Sequence, residues 1–162
     1  MKKKVVLAFS GGLDTTYCAK YLTEDLGYEL HTAIVNTGGF SKEELIDIEK
    51  KAYELGVTSH TTLDIIEKYY AECVKYMVYG NILRNNTYPL SVSAERVFQA
   101  MAIAEHAKKV GATAVAHGST GAGNDQVRFD VVFMIMNPGI EIITPIRDMK
   151  LSRDQEIEYL KK

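Results

Sequence analysis

Cysteine is scarce in this chain: Cys18 and Cys73 are the only two in 162 residues, far apart and on segments that both read as helical. No CxxC pair exists, so neither a zinc site nor a dithiol redox centre is supported, and the two read as buried thiols in a reducing cytoplasm. A basic excess is missing too. Lys and Arg number 19 against 21 Asp and Glu, a net charge of −2 that offers no positive field to nucleic acid or an anionic membrane. No apolar run approaches the ~18–20 residues that span a bilayer. The opening MKKKVVLAF is basic, then apolar, but its apolar stretch runs straight into a glycine turn and does not read as a signal peptide. Hydrophobic residues at 46% and charged residues at 25% exclude a disordered chain, and this length buries roughly 70% of the unfolded surface.

Strand and helix patterns alternate without a break. Residues 4–9 form an apolar strand, and a helix follows from Thr15 to Leu26, with Cys18, Leu22 and Leu26 at four-residue spacing and Gly27 as its stop. ELHTAIV (29–35) is a second strand. Ser41 with Glu44 makes a capping box for a helix to Leu55, closed by Gly56. VTSHTTL (57–63) is a third, very polar strand, and Asp64 with Glu67 reads as a second capping box opening a helix through Met77. Residues 80–93, rich in Asn and Ser, read as a loop, and a helix spans Ala94 to Val110 before Gly111. TAVAHG (113–118) is the fourth strand; 125–137 fits helix or strand, with helix favoured; IEIITPI (140–146) is the fifth strand. Ser152 with Gln155 opens a last helix in which the chain stops without a capping residue, which reads as part of a longer natural chain.

This order predicts an α/β fold: a doubly wound, parallel five-stranded sheet with helices on both faces. Ligands of such sheets sit outside the carboxyl ends of the strands where the strand order reverses. Two Gly-rich loops follow strands, so both belong on that rim and in one site.

The first, within VVLAFSGGLDTT (5–16), breaks from strand to helix through Ser10-Gly11-Gly12-Leu13-Asp14. Backbone N–H groups of such a turn at a helix N-terminus cradle an anion, and glycine lets the backbone approach phosphate oxygens closely. The loop has no Lys and lacks the Gly-Lys-Ser/Thr ending of a P-loop ATPase. Ser10, Thr15 and Thr16 can add hydroxyl donors. Asp14 beside phosphates requires a cation between them, which points to Mg²⁺ on a pyrophosphate; its plainer role is to cap the following helix.

The second loop, HGSTGAGNDQVRFD (117–130), offers amides at Gly118, Gly121 and Gly123, a hydroxyl at Thr120, then Asn124, Asp125 and Arg128. Arg128 can clamp a carboxylate bidentately and Asp125 can accept from an amine, a combination that suits an amino acid. A capped helix start with an internal Asp–Arg pair is the plainer alternative. His117 reads as structural, and His31, His60 and His106 show no metal-ligand spacing.

The string SGGLDT after the first strand resembles the PP-loop of the ATP pyrophosphatases, which cleave ATP between the α and β phosphates. HGSTGAGNDQVRFD closely resembles the HGxTGKGNDQVRFE segment of argininosuccinate synthases, and Tyr88 to Ser93 falls where that family has a Tyr-x-x-x-x-Ser element. The resemblance implies a HUP-type, adenine nucleotide alpha hydrolase-like fold. It also implies that residues 1–162 are the N-terminal ATP-binding domain, the family's C-terminal synthetase domain being absent from this chain. By the same resemblance, ATP is bound by Ala8, Phe9, Ser10, Gly11, Gly12, Leu13, Asp14, Thr15, Thr16, Val35 and Gly118, aspartate by Thr120, Asn124 and Asp125, and citrulline by Tyr88, Ser93, Asn124 and Arg128. Asp14 would meet the metal through Mg-pyrophosphate; ATP with Mg²⁺ is a substrate complex, and no organic cofactor is implied. A cytoplasmic homotetramer that ligates citrulline and aspartate, with neither nucleic acid nor membrane as partner, completes the expectation. Ala122 stands where many members have Lys, and Val35 where Ala commonly lines the nucleotide pocket. A tRNA-modifying PP-loop protein would want catalytic cysteines and a basic surface, and a nucleotide-binding module without catalysis would have no need of the second loop.

Overall fold

The computed structural model describes residues 2–84 and 86–161. Five strands, β1 (Lys4–Ala8), β2 (Glu29–Asn36), β3 (Ser59–Asp64), β6 (Ala114–Ala116) and β7 (Glu141–Ile143), form one sheet in the order β3-β2-β1-β6-β7. Every pairing is parallel, with Val6 opposite both His31 and Val115. A second, two-stranded antiparallel ribbon pairs β4 (Leu83–Arg84) with β5 (Tyr88–Pro89).

KVVLA is apolar without alternation because β1 is central and buried on both faces. Val5, Leu7 and Phe9 pack with Tyr17 and Cys18 of α1 (Leu13–Lys20), Leu22 just beyond it and Ala52 of α2 (Lys42–Glu54). Val6 faces the other way, onto Ala100, Ile103 and Ala104 of α5 (Ser91–Val110) and Phe129 and Phe133 of α6 (Asp125–Met136). The expected doubly wound α/β sheet is therefore present, with helices on both faces. The order reverses at β1, whose neighbours are β2 on one side and β6 on the other.

The polar β3 lies at the sheet's edge, where its side chains find polar partners: His60 Nδ1 is 2.9 Å from Thr32 Oγ1, and Ser59 Oγ is 2.7 Å from His31 Nδ1. Several boundaries differ from the sequence reading. The first helix begins at Leu13 rather than Thr15, then widens to a π turn over Tyr21–Asp25, where the Leu26 N–H reaches the Tyr21 carbonyl. Thr23 sits in this turn, its hydroxyl donating to the Ala19 carbonyl at 2.8 Å and the Leu55 carbonyl at 3.1 Å.

Ser41 and Glu44 form the expected capping box, as do Ser152 and Gln155 at α8 (Arg153–Leu160). Asp64 and Glu67 do not. Pairing with Asn36 carries β3 through Asp64, so Ile65 becomes the N-cap of α3 (Ile66–Tyr69), and Asp64 Oδ1 accepts the Ile66 N–H at 3.1 Å. The helix continues as a π segment, Tyr70–Val74, and α4 (Lys75–Tyr79). The expected loop at 80–93 holds the ribbon and the start of α5, three residues ahead of Ala94. The fifth strand stops at Ile143 because Pro145 sits in the first turn of a short helix, α7 (Pro145–Asp148).

Candidate functional site

The first loop leaves β1 at Phe9, whose N–H still pairs with the Ala33 carbonyl at 2.9 Å. Gly11 turns the chain at φ +74°, a conformation costly for any residue with a Cβ. Gly12 is the N-cap of α1, and its carbonyl accepts from the Thr16 N–H at 2.9 Å and the Thr16 hydroxyl at 2.7 Å. That carbonyl points into the helix, so the N–H across the same trans peptide, that of Leu13, points the opposite way. First-turn amides have no acceptor within their own helix, so this end of α1 leaves N–H donors free to meet an anion. Ser10 Oγ and Thr15 Oγ1 stand 3.3 Å apart over it.

The second loop leaves β6 at His117, which is 2% exposed. The Ser119 N–H lies 3.2 Å from His117 Nδ1 and can only donate, so Nδ1 is unprotonated and Nε2 carries the hydrogen toward Asp130 Oδ1 at 2.8 Å. Burial holds the imidazole below its ordinary pKa, against the pull of Asp130. Burial would raise Asp130, but hydrogen bonds from His117 and Arg147 outweigh it and leave this carboxylate below its ordinary range. Gln126 ties the loop to its helix, donating to the Gly121 carbonyl at 2.8 Å.

The two loops touch. A Cβ on Gly118 would lie 3.2 Å from the backbone carbon and Cβ of Asp14 and 3.3 Å from Thr15 Cγ2, so only glycine fits without displacing the first loop. Between them opens a cavity of about 560 Å³, a size typical of small-molecule sites. Ala33, Val35, Ile103 and Phe129 give it an apolar wall suited to a flat base, while Asp14, Thr15, Thr120 and Asp125 line its polar side.

The family model described as Arginosuccinate synthase N-terminal HUP domain matches residues 4–162. The chain belongs to this family. It is 43% identical over 161 residues to the argininosuccinate synthase of Methanocaldococcus jannaschii, covering 99% of this chain and 40% of that one. The Sulfolobus acidocaldarius synthase is 42% identical over 158 residues, covering 98% and 40% of the two chains, and that of Brevibacillus brevis 40% over 161 residues, covering 99% and 38%. The chain thus spans about 40% of the length of the curated relatives it matches. In fold it is similar to the crystal structure of a "predicted subunit of tRNA methyltransferase" from Methanocaldococcus jannaschii, with a TM-score of 0.65 and 19% identity over 98% of this chain and 75% of that one.

Within this argininosuccinate synthase HUP domain, most of the expected nucleotide residues meet at the cavity: Ala8, Phe9, Ser10, Gly12, Leu13, Asp14, Thr15, Val35 and Gly118 all line it. Gly11 shapes the turn from behind, and Thr16 is buried with its hydroxyl committed to Gly12. Of the residues expected to hold aspartate, Thr120 and Asp125 line the cavity, whereas Asn124 is exposed as the N-cap of α6. Ser93 and Arg128, 35 residues apart, are brought together, the guanidinium donating to Ser93 Oγ at 3.1 Å and to Asp125 Oδ1 at 2.6 Å. The internal Asp–Arg pair of the plainer alternative is therefore present, but Asn124 makes no side-chain cap bond, and Asp125 of the pair lines the cavity. The Tyr88 backbone lies in the ribbon, but its side chain falls outside the described residues.

Sequence reasoning missed Arg96 and Gln99, which line the cavity from α5. Arg96 donates to Gln99 Oε1 at 2.8 Å and sits 3.4 Å from Asp125 Oδ2. Their spacing of three on one helix, which puts both on the same face, was the available signal. Arg153 of α8 also reaches the cavity, and nothing in its local sequence announces that.

Proposed function

We propose that this domain binds ATP across the two loops and that the protein to which it belongs is an argininosuccinate synthase, a ligase that joins citrulline to aspartate. The single observation that carries this reading is the contact of the two Gly-rich loops, Gly118 against Asp14, over one cavity. The loop at α1 would hold the departing pyrophosphate, while the apolar wall takes the base. The ureido oxygen of citrulline attacks the α-phosphorus, the α–β bridge breaks, and citrullyl-AMP and pyrophosphate form. The amine of aspartate then attacks the activated carbon, losing a proton as AMP leaves with the oxygen. This serves arginine biosynthesis.

Positioning and charge stabilisation account for most of such a reaction, which suits a site of backbone amides and hydroxyls. Thr120, Asn124 and Asp125 would hold aspartate; Tyr88, Ser93, Asn124 and Arg128 would hold citrulline. Among the described residues no group of three or more His, Cys, Asp or Glu could hold a metal alone. Mg²⁺ would arrive with the phosphates and meet Asp14, offsetting the repulsion between that carboxylate and the pyrophosphate. Among the described residues no helix is long and apolar enough to cross a membrane. We place the whole protein in the cytoplasm as a homotetramer, without nucleic acid or membrane as partner and without an organic cofactor.

Product analysis tests the reading. The full-length protein, given MgATP, should release pyrophosphate only when citrulline is present and AMP only when both amino acids are, and the 162-residue chain should bind nucleotide with little turnover. ADP as product, or AMP release indifferent to citrulline, sinks the assignment.

A further inference from the structure

The loop of residues 10–14 contains no lysine, but one reaches it from another element. Lys51, in the last turn of α2, places Nζ 2.6 Å from the carbonyl oxygen of Gly11. One turn earlier, Ile48 Cγ1 lies 3.1 Å from where a Cβ on Gly11 would stand, so α2 is pressed against the back of the loop. Since the Gly11–Gly12 peptide is trans, a carbonyl held toward α2 turns the Gly12 N–H away from it. Gly12 lines the cavity. The next peptide is held by Thr16, whose amide and hydroxyl both donate to the Gly12 carbonyl, the hydroxyl also lying 3.4 Å from the Gly11 carbonyl. An ammonium on a peptide oxygen also polarises that peptide and strengthens its N–H as a donor.

We propose that Lys51 is the positioning residue of the phosphate loop: through the Gly11 carbonyl it aims the Gly12 amide at the pyrophosphate portion of the nucleotide and supplies the cationic charge absent from the loop's own sequence. The inference rests on the ATP-binding reading above. It assigns to helix α2 a part of the site that neither loop contains, and it explains how a lysine-free turn can hold a highly charged leaving group.

Calorimetric titration of this chain with MgATP, with inorganic pyrophosphate and with AMP separates the possibilities. The wild-type protein should bind MgATP more tightly than AMP. Lys51→Met should weaken MgATP and pyrophosphate by about 10- to 100-fold, the loss expected for one charge-assisted hydrogen bond, while AMP changes by less than about 3-fold. Lys51→Arg should recover most of the loss. Lys51→Gln, which keeps a donor for Gly11 without the charge, should fall between and supplies the test if Lys51→Met fails to fold. Equal weakening of MgATP and AMP, or a lowered unfolding midpoint with an unchanged MgATP-to-AMP ratio, would make Lys51 a structural residue only and overturn the proposal. A wild-type protein with no preference for MgATP over AMP and no affinity for pyrophosphate would instead refute the nucleotide reading itself, and Lys51 with it.

Discussion

Glu156, carried into the core by α8 and 2% exposed, neighbours the carboxyl of Asp14 at the start of α1. Burial, and then the charge of Asp14, push the Glu156 carboxyl up to about 7, and Oε2 has no protein partner. A buried acid with a raised pKa stabilises the fold while protonated. That stability is complete below the unfolded value near 4.5 and is lost as pH rises through about 7. Glu156→Gln should therefore stabilise the chain at pH 8, on the order of 2–3 kcal/mol, and change little at pH 4.5. Urea unfolding at both values checks this; an equal effect at the two would contradict it.

Three histidines act in the opposite sense. His60, His106 and His117 are each held below the ordinary imidazole value, chiefly by burial. Their contribution is present above about 6.5 and lost as pH falls through the folded values, because the unfolded chain binds the extra protons. In the Glu156→Gln background, where the opposing carboxyl is gone, stability should rise from pH 5 to 7. A proton NMR titration should place the His117 midpoint below 6.5, and a midpoint above 6.5 would reverse the sign.

Gly118→Ala should damage the site more than its size suggests. Its Cβ would stand 3.2 Å from the Asp14 backbone, which cannot yield as a flexible side chain would. The expected costs are about 1–2 kcal/mol of stability and roughly 10-fold or more in MgATP affinity, read by denaturation and titration. An unchanged affinity would show that the two loops need not touch.

The two sequence capping boxes at Ser41 and Asp64 make unequal predictions once the structure is known. Ser41→Ala removes the acceptor of the Glu44 amide and should cost about 1 kcal/mol. Glu67→Gln removes no reciprocal cap bond and should stay within about 0.5 kcal/mol in the same unfolding assay.

Period and punctuation in the chain were enough to reveal the α/β alternation, the Gly-rich turns after two strands, and the family through its rare second loop. These features depend on neighbouring residues, so local physics reveals them: an apolar run buried on both faces, a glycine where φ is positive, a Ser three residues before Glu. Boundaries shifted where long-range pairing overruled local preference, as at Asp64, drawn into β3 by Asn36. Neighbours distant in sequence were invisible for the same reason. Lys51 at Gly11, Arg96 at Asp125, Ser93 at Arg128 and Glu156 at Asp14 are joined only when the sheet closes in the order β3-β2-β1-β6-β7. The sequence by itself determined which two Gly-rich loops follow strands and share one rim of the sheet. Tertiary structure decided which charges stand beside them, because the fields and hydrogen bonds at this site come from helices α2, α5, α6 and α8, whose positions follow from how they pack on the sheet.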